Sequence, residues 1–173
     1  MARLRKGVSY RRIERPYTRI SKFKKKSFIK TSYNTRVIRF VMGNLKKKDF
    51  EVKLKLIPKN ELQIRENALE SARLTSNRLL EKTLGQANYF LRINKYPYHV
   101  LRINPIASGA GADRFSTGMK KSFGKPTGLA AQFKKGDTIF ELSVDKKNLD
   151  TAKLALKRAS NKIACSCSII VDK

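Results

Sequence analysis

Residues 50–85 read FEVKLKLIPKNELQIRENALESARLTSNRLLEKTLG, and the period of the apolar residues changes within that run. From Phe50 to Ile57, Val52, Leu54 and Leu56 alternate with Lys53 and Lys55. A period of two predicts a strand over 50–57, buried on one face, wet on the other and closed by Pro58. From about Glu66 to Leu84 the spacing is helical: Leu69, Ala72, Ser76, Leu79, Leu80 and Thr83 share a face, and Gly85 follows as a C-cap.

Working outward, TRVIRFVM at 35–42 reads as another strand, with Gly43-Asn44 and Lys46-Lys47-Lys48 as its turn into 50–57. Downstream, 89–95 and 98–103 read as strands either side of Pro97. Segments 128–133 and 138–144 read as a second hairpin across Lys134-Lys135-Gly136-Asp137. Leu149, Ala152, Leu156, Ala159 and Ile163 mark a second amphipathic helix over 146–163, and a strand at 165–171 follows. Strands outnumber helices without a regular strand–helix repeat. The expectation is a single α+β domain with a mixed β-sheet and two amphipathic helices.

The chain has 173 residues, 40 Lys plus Arg against 13 Asp plus Glu, and a formal charge of +27. Such a charge repels itself unless a polyanion neutralises it, which points to nucleic acid or an anionic membrane surface. No apolar run exceeds four residues, so neither a membrane span nor a signal peptide is expected. Two cysteines cannot make a disulfide scaffold, which suits a reducing cytosol.

The charge is unevenly spread. Residues 1–60 carry 20 bases and 3 acids, whereas residues 60–84 carry four of each. In the first thirty residues twelve bases face only Glu14, interleaved with Tyr10, Tyr17, Phe23 and Phe28, with Tyr33 just beyond. Cations neutralise phosphates and flat rings stack on unpaired bases. Most of these rings are nevertheless expected to pack on the domain, because a ring near a core is usually buried. Concentration of charge away from the first helix favours a directed binding surface.

A second basic concentration lies between Leu101 and Lys135, with seven bases, one acid and five of the nine glycines. A long glycine-rich loop inside a small domain is usually functional, and bare backbone N–H groups can meet phosphate oxygens. Nucleotide-binding motifs fail on spacing. After Gly109 and Gly111 the third glycine position of GxGxxG holds Arg114, and Gly118 stands one residue too far from Gly124-Lys125 for a P-loop, with Pro126 where Ser or Thr must follow.

Catalytic constellations are equally poor. His99 is the only histidine and is expected to be packed or hydrogen-bonded beside Tyr98. Cys165 and Cys167 face one side of a strand, too few ligands for zinc, and read as small buried hydrophobes. Asp113 is expected to hold Arg114 or cap a turn. The chain is therefore not expected to be an enzyme or to need a cofactor or metal.

The stretch ASGAGADRFSTGMKKSFGKPTG, residues 107–128, resembles the signature of the archaeal and eukaryotic large-subunit ribosomal protein family called ten-e. Its bacterial counterpart is protein sixteen of the large subunit. QIRENALESAR at 63–73, YFLRINKYPYHVLRIN at 89–104 and MGN at 42–44 extend the resemblance over nearly the whole chain, in a length like the archaeal form. Lys120 and Gln132 stand where the family commonly has Arg, and Ser122 where Ala is common.

The resemblance implies an α/β-hammerhead domain on large-subunit rRNA in cytoplasmic ribosomes, with a loop reaching toward the peptidyl-transferase region and tRNA. The implied partners are rRNA, tRNA, neighbouring ribosomal proteins and late assembly factors, with no membrane. A basic arm is expected over 1–34 and the α+β domain over 35–173, including the loop 104–127. The expected rRNA contacts are Arg3, Arg5, Lys6, Arg11, Arg12, Arg15, Arg19, Lys22, Lys24, Lys25, Lys26, Lys46, Lys47, Lys48, Lys120, Lys121 and Lys125. Arg102, Ser108, Gly109, Gly111, Asp113, Arg114 and Met119 are expected on the tRNA-facing loop. The competing readings are a nucleotide-dependent enzyme using the glycine loop and a basic membrane-surface protein. The first lacks the motif spacing and the second lacks a strongly basic amphipathic helix.

Overall fold

The alternation of Val52, Leu54 and Leu56 becomes a transverse apolar row in the computed structural model. Met42, Leu91, Leu142, Leu54 and Val171 lie side by side across five strands. The described residues are 5–14, 23, 34–47, 49–104, 109–115, 118 and 124–172, with backbone only for Asp113 and Phe115. Their elements are β1 (Val41–Gly43), β2 (Val52–Pro58), β3 (Leu62–Arg65), α1 (Glu66–Leu84), β4 (Tyr89–Ile93), β5 (His99–Ile103), α2 (Ala112–Phe115), β6 (Lys125–Phe133), β7 (Phe140–Val144), α3 (Leu149–Ser160) and β8 (Cys167–Asp172).

The strands form a five-stranded sheet in the order β1-β4-β7-β2-β8 and a three-stranded sheet in the order β3-β6-β5. Every pairing is antiparallel. A row of Tyr89, Val144 and Val52 and another of Ile93, Phe140 and Leu56 flank the central one. Leu69, Ala72 and Leu80 of α1 and Ala152, Ala155, Leu156 and Ala159 of α3 complete the same core. Each fully buried leucine contributes about 1.5–3 kcal/mol by leaving water. On the other face, Lys55, Glu141 and Arg92 line up across three strands. This is a single-domain α+β fold.

Several expectations are corrected. The strand expected over 35–42 is confined to Val41–Gly43, and it does not form a hairpin with β2, since β4 and β7 lie between them. The second expected hairpin is also absent. The turn at Lys134–Asp137 closes, with the Asp137 N–H donating to the Lys134 carbonyl at 3.1 Å, but β6 and β7 belong to different sheets. Alternation specifies which face a residue occupies and leaves the partner strand open. The sheet is two antiparallel sheets rather than one mixed sheet. β3 was not anticipated, because its four residues are all at least half-buried and do not alternate.

The first helix matches its expected bounds. Its buried residues include Arg73 and Ser76, whereas Thr83 is exposed and Leu79 half-buried. Ser76 satisfies its hydroxyl on the Ala72 and Arg73 carbonyls at 2.9 and 3.0 Å. Arg73 tolerates burial because Nε and Nη2 meet the Glu70 carboxylate at 2.8 and 2.5 Å, while Nη1 reaches Met42 Sδ at 3.3 Å. The second helix is shorter than 146–163: a 3-10 turn, Lys146–Asn148, leads into Leu149–Ser160.

Gly43 carries a structural demand. Its φ is +87°, and a Cβ there would sit 2.2 Å from the Tyr89 carbonyl oxygen, where β1 meets β4. Gly43→Ala is expected to destabilise the fold by about 1–3 kcal/mol or more, measured by denaturant unfolding. A change below a few tenths of a kcal/mol would contradict this contact.

The Arg73 guanidinium bonded to Glu70 holds that carboxyl below the usual carboxylate range. A lowered folded-state pKa stabilises the fold above the unfolded value, about 4.3, and is lost as pH falls through the folded value. Glu70→Gln is expected to cost about 1–3 kcal/mol at pH 7 and to flatten the acid limb of stability against pH. An unchanged acid limb would contradict the coupling.

Candidate nucleic-acid interface

The basic N-terminal segment is partly built into the domain. Residues Gly7–Tyr10 make one 3-10 turn, and Tyr10 is buried against Leu101 and Ala130 of the three-stranded sheet. The Gln63 N–H on β3 donates to the Arg11 carbonyl at 2.9 Å, so the segment lies along the free edge of that strand. Arg65 Nη2 donates to the Arg5 carbonyl at 2.8 Å, and its guanidinium stands 5.6 Å from the Tyr10 ring centre. Gln132 Nε2 donates to the Glu14 carbonyl at 3.1 Å, and Arg11 Nη1 donates to the Ala164 carbonyl at 3.3 Å. The backbone is held while Arg5, Lys6, Arg11 and Arg12 remain exposed. Cations displayed on a fixed backbone lose less freedom when they meet a ligand.

Among the aromatics, Tyr10 packs as expected, whereas Phe23 is 65% exposed. Tyr17, Phe28 and Tyr33 lie outside the described residues, as do Arg3, Arg15, Arg19, Lys22, Lys24, Lys25, Lys26, Lys48, Ser108, Met119, Lys120 and Lys121.

The glycine-rich segment joins β5 to β6, which pair as an antiparallel ladder. Its base carries Arg102 opposite Pro126 and Lys125 opposite Ile103, beside an irregularity between Leu101 and Arg102. Within the loop, α2 is one helical turn. Ala112 and Arg114 donate their N–H groups to the Gly109 and Gly111 carbonyls at 3.2 and 3.0 Å. Gly109 and Gly111 have φ of +128° and +77°, with nothing within 4 Å of an added Cβ, and Arg114 is exposed. The backbone of Asp113 lies in that turn. Lys125 opens a strand, whereas a P-loop lysine stands at a helix N-terminus, so the geometry adds nothing to the enzyme reading.

Lys46 and Lys47 follow Asn44, whose Oδ1 accepts both their N–H groups at 3.0 and 3.1 Å. Lys46 is exposed. The Lys47 ammonium is bonded to both Asp145 carboxylate oxygens at 3.0 and 2.8 Å and lies 4.7 Å from the Phe50 ring centre. Its charge is therefore already paired inside the chain.

His99 is 3% exposed on β5; its Nδ1 has no hydrogen-bond partner among the described residues, and burial pushes its pKa down. It is packed within the sheet rather than hydrogen-bonded at Nδ1 to any described residue. Cys165 and Cys167 are half-buried rather than fully buried. Among the described residues no three His, Cys, Asp or Glu side chains gather to hold a metal ion. Likewise, no described helix is long and apolar enough to cross a membrane.

Sequence reasoning missed Gln63, Arg65, Gln132 and Ala164 as the residues that dock the N-terminal segment. They come from β3, β6 and the stretch after α3, and nothing local to 5–14 marks them. Gln132, which stands where the resembled family commonly has Arg, turns its amide inward to the Glu14 carbonyl.

The family model described as ribosomal protein L16p/L10e matches residues 16–170. The chain is 44% identical over 164 residues to the large ribosomal subunit protein uL16 of Archaeoglobus fulgidus, covering 95% of this chain and 90% of that protein. It is 43% identical over 171 residues to the protein of that name from Methanococcus aeolicus, covering 98% and 95%. With the Thermofilum pendens uL16 it shares 42% identity over 171 residues, covering 98% of each chain. A match of this breadth and identity places the chain in the ribosomal protein L16p/L10e family.

Proposed function

We propose that the chain is a structural constituent of the large ribosomal subunit, in the cytoplasm, that binds rRNA without doing chemistry. The observation that carries this reading is the docking of residues 5–14. An apolar anchor, three hydrogen bonds to its backbone carbonyls and one from the Arg11 side chain fix a segment that carries four cations. A fixed row of cations suits the phosphate backbone of a folded RNA, whose base edges lie in a deep, narrow groove. Arg5, Lys6, Arg11 and Arg12 are the described members of this surface, continued by Arg3, Arg15, Arg19, Lys22 and Lys24–Lys26. Lys46, Lys48, Lys120, Lys121 and Lys125 add phosphate contacts, and Lys47 acts through its internal pair with Asp145.

The loop 104–127 is the part proposed to reach tRNA near the peptidyl-transferase region. Arg102 and Lys125 stand at its base, and Ser108, Gly109, Gly111, Asp113, Arg114 and Met119 lie along it. Support comes from its position at the end of the β5–β6 ladder and from the exposure of Gly109 and Arg114. Neighbouring ribosomal proteins and late assembly factors complete the proposed partners. The arm is proposed as 1–34 and the domain as 35–173.

If on the order of ten phosphates are contacted, log K for a large-subunit rRNA fragment falls against log salt with a slope of about −7 to −9. Replacing Arg5, Lys6 and Arg12 together by Ala is expected to reduce that slope by about 2–3. A slope near zero for the unaltered protein would overturn the electrostatic mechanism.

Deleting residues 107–119 is expected to leave thermal unfolding and rRNA binding nearly unchanged while impairing translation by subunits that carry the variant. A global loss of thermal stability would contradict a projecting loop. Unimpaired translation would contradict its proposed contact with tRNA.

A further inference from the structure

Cys165 and Cys167 lie outside the cationic surface, at the seam where the N-terminal segment meets the end of the fold. Their Sγ atoms are 3.6 Å apart, and both side chains are half-buried. Cys167 opens β8, the edge strand of the five-stranded sheet, whereas Cys165 precedes it in the connection from α3. No third ligand joins the pair among the described residues, which removes the metal reading. Two thiols at this separation, one of them outside the ladder, have another chemistry open to them.

We propose that Cys165 and Cys167 are a dithiol oxidation site, closed to an intramolecular disulfide by a low-molecular-weight disulfide and coupled to the docking of the N-terminal segment. In the first step the Cys165 thiolate attacks one sulfur of the small disulfide. A mixed disulfide forms and one small thiol leaves with a proton. Cys167 then gives up its proton and attacks the Cys165 sulfur, forming the intramolecular bond and releasing the second small thiol. Two protein thiols are oxidised and one small disulfide is reduced.

The surroundings assign these roles. A hydrogen bond from Cys167, with the Arg11 guanidinium nearby, lowers the Cys165 pKa against the opposing effect of burial. The same pairing and burial push the Cys167 thiol up. With the Arg11 guanidinium held at 3.3 Å on the Ala164 carbonyl beside Cys165, and Cys167 tied into the β8 ladder opposite Pro58, Cys165 is the attacking sulfur and Cys167 the resolving one.

The coupling follows from the sulfur separation. The two Sγ atoms are 3.6 Å apart, whereas a disulfide bond is about 2.05 Å long. Closing the bond therefore pulls the Cys165 and Cys167 side chains together and loads the backbone at 165–167. Ala164, next in line, holds Arg11 Nη1 on its carbonyl at 3.3 Å, and a Cβ added to Gly7 would lie 3.2 Å from its Cβ. Ser166 accepts the Lys59 N–H at 3.1 Å, which restrains the other side of the turn. Movement is thereby directed toward the N-terminal segment. The oxidation site stands whether or not the proposed RNA surface does.

The test uses the purified full-length chain incubated with oxidised glutathione, followed by alkylation of the remaining thiols and intact mass measurement. The unaltered protein is expected to lose two hydrogens, retain no glutathione and resist alkylation at both cysteines. Cys167→Ser is expected to stop with one glutathione on Cys165, and Cys165→Ser to react about tenfold more slowly. Two alkylatable thiols, two retained glutathiones or only disulfide-linked dimers in the unaltered protein would overturn the site. Trypsin cleavage after Arg11 and Arg12 is expected to be severalfold faster in the oxidised protein than in the reduced one. Equal rates would overturn the coupling.

Discussion

Thirteen acids must hold together a chain with 40 cations, and the structure uses them at its joints. Glu66 is buried and accepts the Arg36 N–H at 3.0 Å, which ties the approach to β1 onto the start of α1. Gly128 permits this, since a Cβ there would lie 3.3 Å from the Glu66 carboxylate. Asp145 holds Lys47, Asp137 holds Lys95 and Asp172 holds Lys55, and each of these pairs joins segments far apart in sequence. The exposed pairs are individually worth little. Their placement matters more, because each removes a cation from the common repulsion where two segments must meet. Among the described residues Arg5, Lys6, Arg12 and Lys46 are left exposed, so the proposed binding surface and the fold follow from one constraint.

Much of the architecture was legible where periodicity is long. The nineteen residues of α1 emerged from spacing and a terminal glycine, and the α3 stripe was correct despite overlong bounds. Partner strands were not legible. β1 and β2 are neighbours in sequence, yet β4 and β7 separate them, because burial of matched rows decides pairing over distances no local pattern reports. β3 was invisible for a different reason: it is short, buried on both faces and runs directly into α1.

The interface divides in the same way. Composition located the cations, and local spacing excluded a P-loop, but neither could tell a free arm from a docked one. Docking depends on Gln63, Arg65, Gln132 and Ala164, which become neighbours only when β3 and β6 pair and the segment after α3 returns to them. Lys47 shows the converse case, in which a cation within a basic run is neutralised by Asp145 ninety-eight residues away. The resemblance to ribosomal proteins rested on motifs rather than charge, and the family match carries it across the chain.

The central claim is that this cation display belongs to a large ribosomal subunit. The most direct measurement is a sucrose gradient of lysate from cells expressing the full chain, read by immunoblot with and without ribonuclease. The account expects the protein to travel with large subunits and whole ribosomes, and to leave those fractions after ribonuclease digestion. Recovery at the top of the gradient before digestion would contradict it.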